Sequence, residues 1–172
     1  MSAASAKPAP APGQRRLAAR LAAVQALYQL AMSDATVEEV VEQFLKERLK
    51  EEVDGLSLAD ADRKLFRALV AGAARAAEDS DNMLAGVLPE DWPLERIETL
   101  LLTLFRAAIH ELADVPETPA KVVITQYMEV AHAFFGGKEP GFVNSLLDRL
   151  AHELRPEEFE PGDSAKSGGH TR

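Results

Sequence analysis

Between Ile97 and Ile109 the chain reads IETLLLTLFRAAI, with only Glu98, Thr99, Thr103 and Arg106 interrupting the apolar side chains. A helix that is apolar nearly all round belongs in the middle of a fold or inside a bilayer. Taken with its flanks, Leu94 to Leu112, the segment runs to about 19 residues with charges at both ends, which predicts a buried core rod and not a membrane span. Such a rod needs other helices to cover every side of it.

Outward from this rod, helical punctuation recurs and no strand alternation appears. A first helix is predicted over about Gln14–Met32, with Leu17, Leu21, Val24, Tyr28 and Ala31 forming a stripe at 4, 3, 4, 3 spacing. Thr36 with Glu39 makes a capping box for a second helix, which Gly55 stops. Ser57 with Asp60 caps a third, whose inner face carries Leu58, Leu65, Leu69, Gly72 and Ala76. A glycine at position 72 weakens a helix, so the close approach of a neighbouring helix is its expected return. A short helical piece spans Asn82 to Val87, and Trp92-Pro93 introduces the apolar rod. Thr118-Pro119 opens a sixth helix that Gly136-Gly137 ends, and Pro140 starts a seventh carrying Phe142, Val143, Leu146, Leu147, Leu150 and Leu154 inward. The expected fold is all-α: about seven helices in two small packed bundles, residues 14–88 and 89–156. A leader at 1–13 and a tail at 157–172 are expected to be disordered.

Composition supports a water-soluble helical protein and removes several functions. Cysteine is absent, which excludes disulfides, thiolate metal sites and thiol catalysis. The opening MSAASAKPAPAPG lacks the apolar core of a secretory signal, and no apolar run reaches bilayer length, so a cytoplasmic location with no membrane contact is expected. His110, His132, His152 and His170 are scattered, and neither P-loop, dinucleotide fingerprint nor H-E-x-x-H occurs. No catalytic residue, metal or cofactor is expected; Arg106 and Glu111 read as a structural pair. The destination is binding.

Charge points to what is bound. The net charge is −9, yet Met1 to Ser33 holds Lys7, Arg15, Arg16 and Arg20 and no acid. At about 100° per residue, Arg16 and Arg20 fall side by side on one border of the first helix's apolar stripe, with Gln25 on the other. Cations at a helix start oppose its dipole by roughly 0.3–1 kcal/mol each, so three of them hint at a use beyond folding. Two arginines one turn apart, with Tyr28 further along, suit the phosphates and bases of a single nucleic-acid strand.

Four ordered blocks carry a family likeness. RRLAARLAAVQALYQ (Arg15–Gln29) resembles the opening of the bacterial transcription antitermination factor NusB family. F-R-A-A-I-H-E-L (Phe105–Leu112) resembles that family's L-R-x-A-x-Y-E-L. T-P-A-K-V-V-I…E-V-A (Thr118–Ala131) resembles its next helix, and G-F-V-N-S-L-L-D (Gly141–Asp148) its K-F-V-N-G-V-L-D. The likeness covers about Arg15 to Pro156. It implies an all-α, non-catalytic protein that binds the boxA element of ribosomal RNA leaders. In that family binding occurs with NusE, a small-subunit ribosomal protein, within an RNA polymerase antitermination complex. By position, the resemblance assigns RNA contacts to Arg16, Arg20, Gln25, Tyr28, Lys121, Phe142 and Asn144. Charge adds Arg15 and Lys138. Glu78, Asp79 and Asp81 are candidates for the acidic face that meets a basic ribosomal protein.

The sequence also departs from the family pattern. Leu17-Ala18 interrupt the arginine run, Thr125-Gln126 stand for N-E, Gly141 for a lysine, His110 for a tyrosine, and Leu101-Leu102 for a charged pair. A related domain precedes a methyltransferase domain in an rRNA cytosine methyltransferase, but a chain ending at Arg172 is expected to have no room for one. The alternative is a helical adaptor or homodimer that acts through protein contacts only and has no affinity for RNA.

Overall fold

The computed structural model describes residues 10–53 and 55–160. Lys7, most of the expected leader and most of the expected tail lie outside the described residues. Among the described residues seven α-helices make up the fold: α1 (Pro12–Ala31), α2 (Val37–Lys46), α3 (Arg63–Arg75), α4 (Ala77–Val87), α5 (Thr99–Asp114), α6 (Ala120–Phe134) and α7 (Glu139–Leu154). A single apolar core runs through all seven helices. The all-α expectation holds, with one small addition. Glu52–Val53 pairs antiparallel with Leu56–Ser57 in a two-stranded hairpin.

The apolar rod is α5, and it sits at the centre, packed on α1, α3, α4, α6 and α7. Leu101, Leu104, Phe105, Ala107, Ala108 and Ile109 are all buried along it. It starts at Thr99, because Leu94–Arg96 after Trp92-Pro93 form a separate 3-10 turn. Gly72 on α3 does what its position demanded. A Cβ built there would lie 2.1 Å from Nε2 of His110 on α5, so the imidazole packs directly on helix backbone.

One local cap forms as the spacing predicts. Thr36 and Glu39 form the capping box, with the Glu39 amide donating to Thr36 Oγ1 at 3.2 Å. Elsewhere the caps are displaced. Ser57 caps only the 3-10 turn Leu58–Asp60, and α3 is capped by Asp62, whose Oδ1 accepts from the Leu65 amide at 3.0 Å. Gly55, at φ 78°, turns the hairpin instead of ending α2, which stops at Lys46. Thr118 does not cap α6; the Ala120 amide donates instead to Glu158 Oε1 at 2.9 Å.

That last bond belongs to a larger clamp. Arg155 is buried just past α7, and it donates to the carbonyls of Glu111, Leu112, Val115 and Thr118. It also pairs with Glu158 at 3.0 Å. One guanidinium thus satisfies the carbonyls that the end of α5 leaves open, while its acidic partner satisfies the start of α6.

Candidate nucleic-acid interface

The cationic corner begins where α1 begins. Pro12 suits the first helical position, and the first turn holds no acid. Arg15 is exposed and held against the entry to α3: its Nε donates to the Asp60 carbonyl at 3.2 Å, and its own carbonyl accepts from the Asp62 amide. Arg16 is exposed and overlooks a groove of about 360 Å³ whose far wall is the α5–α6 loop, Glu117, Thr118 and Pro119, with Val122 and Gln126 of α6. Lys121 is exposed beside Val122 in the first turn of α6. Arg16 shares its groove with Val122, Arg20 bonds Gln126, and Gln25 shares a second groove with Phe134, so α1 and α6 run in the same direction.

Arg20 does not project beside Arg16. It is 2% exposed, and its Nε and Nη2 each donate to a Glu111 carboxylate oxygen at 2.8 Å while Nη1 donates to Gln126 Oε1 at 2.7 Å. The expected partner of Glu111 was Arg106, which pairs with Asp81 instead at 2.7 Å. The helical wheel failed because it counted only large side chains. Ala18, Ala19, Ala22, Ala23 and Ala26 are all buried, so the middle of α1 is enclosed by α3, α5 and α6, and Arg20 lies inside. Burial by itself would lower the Arg20 pKa, but the hydrogen bonds and charge of Glu111 outweigh it and raise it. The Tyr127 phenol beside this pair is driven well above its usual range, by burial first and then by the Glu111 charge. This is a fixed, charged network joining α1, α5 and α6.

Further along α1, Gln25 and Tyr28 open onto a second groove with Met32, Arg48 and Phe134. Tyr28 is 37% exposed, and the Gln25 amide oxygen is buried with no hydrogen-bond partner among the described residues. Arg48 was not singled out from sequence. Packing of the 3-10 turn Arg48–Lys50 brings it there, its guanidinium 5.0 Å from the Phe44 ring centre. No local pattern announces that placement.

Lys138 and Asn144 are exposed at the start of α7, but Phe142 is half-buried. About 200° of helix separates Phe142 from Asn144, so the two do not share a face. Trp92 packs on the Phe142 ring, 4.2 Å between centres and tilted by 31°, and Phe105 meets its edge at 6.2 Å. Of the acidic candidates, Glu78 and Asp79 are exposed on α4, whereas both oxygens of Asp81 accept from Arg106. Among the described residues no three histidine or carboxylate side chains gather as a metal site, and no helix is long and apolar enough to cross a membrane.

Comparison with known proteins places this arrangement. The NusB family model matches residues 17–152. The transcription antitermination protein NusB of Rhodopseudomonas palustris is 41% identical over 86% of this chain and 85% of its own. That of Agrobacterium fabrum is 41% identical over 88% of this chain and 92% of its own. The solved structure of T. maritima NusB superposes with a TM-score of 0.68 at 27% identity, covering 87% of this chain and 97% of that one. Sequence and fold therefore agree along nearly the whole described length, and the protein belongs to the NusB family.

Proposed function

We propose that this transcription antitermination factor binds boxA-type single-stranded RNA of ribosomal RNA leader transcripts, together with the ribosomal protein NusE, in an RNA polymerase antitermination complex. It acts by binding and carries out no catalysis. The observation that supports this most directly is the exposure of Arg15 and Arg16 at the start of α1, and of Lys121 at the start of α6, on a chain whose net charge is −9. Exposed guanidinium and ammonium groups beside a groove fit phosphates, and the exposed Tyr28 ring in the second groove offers a stacking face to a base. Arg20 is assigned a different part: with Glu111 and Gln126 it fixes the spacing of the helices that carry the corner.

Glu78 and Asp79 are proposed as part of an acidic face that steers the basic partner. Asp81 is spent on Arg106 and is left out of that face. The experiment is a gel shift of boxA RNA against a scrambled control, with and without NusE. Selective retention of boxA RNA that strengthens with NusE supports the proposal. Equal retention of both RNAs, or of neither under any condition, removes it.

A further inference from the structure

Trp92 is the only tryptophan of the chain, and 37% of it remains exposed. Its mount is stiff. The Trp92 amide donates to the Pro89 carbonyl at 2.9 Å in a turn, and Pro93 follows. One side of the indole rests on Phe142, 4.2 Å between ring centres and 31° from parallel. Phe142 in turn meets the buried Phe105 of α5 edge-on, at 80°. The three rings form a column from the core to the surface, and its outermost member is Trp92.

We propose that Trp92 is a base-stacking residue of the RNA surface, presenting to an unpaired nucleobase the aromatic face that Phe142 cannot offer. The inference rests on the RNA-binding reading above. Phe142 is half-buried and covered by the indole, so its part is to hold Trp92 in place. The neighbouring start of α7 is itself exposed. Lys138 is exposed one turn before Phe142, and a Cβ at Gly141 would meet nothing within 4 Å. An indole held in one orientation loses little freedom when a base stacks on it, and stacking is tolerant of base identity.

Charge separates this contact from the cationic corner. Glu90, Asp91 and Glu95 are exposed on the same loop, so phosphates are not drawn to it. Trp92 therefore contributes through its ring and not through counterion release. Its loss weakens binding without changing the salt dependence, whereas loss of Arg16 makes that dependence shallower.

The single tryptophan makes the test direct. The full-length protein is titrated with boxA-type single-stranded RNA while Trp92 fluorescence and the anisotropy of end-labelled RNA are followed together. Quenching that saturates at the anisotropy midpoint is expected. Trp92→Phe keeps most of the affinity, and Trp92→Leu weakens it by about tenfold or more with an unchanged log–log salt slope. Matched helicity by circular dichroism shows that the variants are folded; if Trp92→Leu is not, quenching in the unaltered protein still decides. RNA that binds without quenching overturns the stacking role and leaves the RNA-binding reading intact. Absence of RNA binding both with and without NusE overturns both. Fluorescence that responds to NusE and not to RNA reassigns Trp92 to a protein contact and overturns the proposal.

Discussion

The Arg20 guanidinium is enclosed by three helices, yet each of its nitrogens donates to an acceptor, two of them to one carboxylate. A buried pair of this kind adds little net stability over apolar packing, but removing one partner strands a charge at about 3–5 kcal/mol. Arg20→Ala and Glu111→Ala should each lower the urea-unfolding free energy by about that amount. Combined, they should be far from additive, because the second change relieves the first. Arg16, four residues earlier, is exposed, so Arg16→Ala should leave stability within about 0.5 kcal/mol of the parent. It should weaken RNA binding and make the log–log salt slope shallower by roughly 0.7, one single-strand phosphate contact. With two or three such contacts the parent slope should lie near −1.4 to −2.1, measured by anisotropy across a salt series.

Helix packing turns on small residues and on caps. Gly72→Ala forces a methyl group into the His110 ring and should destabilise the protein by about 1–3 kcal/mol in thermal or urea unfolding. Replacing His110 with Ala in the same chain should recover part of that loss, since the two sites share one contact. At the other end of α5, Glu158 is held below the ordinary glutamate range by the Ala120 amide first, opposed by burial and aided by Arg155. Its folded-state pKa is depressed, so its contribution is complete above the unfolded value of 4.5 and is lost progressively as pH falls beneath it. Glu158→Gln should therefore lower stability at pH 7 and flatten the acid limb of the stability–pH curve, followed by circular dichroism. Because the clamp carries the α5–α6 loop that walls the Arg16 groove, the same variant should weaken RNA binding at neutral pH.

Across the molecule, exposed cations and acids stand on different helices. Arg15 and Arg16 are exposed at the start of α1 and Lys121 at the start of α6, while Glu78 and Asp79 are exposed on α4. A basic protein partner is steered by long-range attraction, which acts mainly on the association rate. Glu78→Gln combined with Asp79→Asn should slow association with NusE at low salt and leave dissociation nearly unchanged, as read by surface plasmon resonance. The difference should vanish at high salt, where the Debye length shrinks to a few ångströms.

Periodicity and composition determined the number of helices, their order, the central position of α5 and the role of Gly72. These follow from which side chains avoid water and from backbone rules that act over a few residues. The cationic start of α1 and the acidic remainder were legible for the same reason: charge is written residue by residue. Tertiary structure alone decided what each charged or aromatic group is free to do. It buried Arg20 because alanines let three helices close around it, and it paired Arg106 with Asp81, 25 residues away. It supplied the α6 cap from Glu158, 38 residues downstream, and set Trp92 over Phe142 at the end of an aromatic column. Each of these depends on contacts between elements distant in sequence, where neither wheel nor motif carries information.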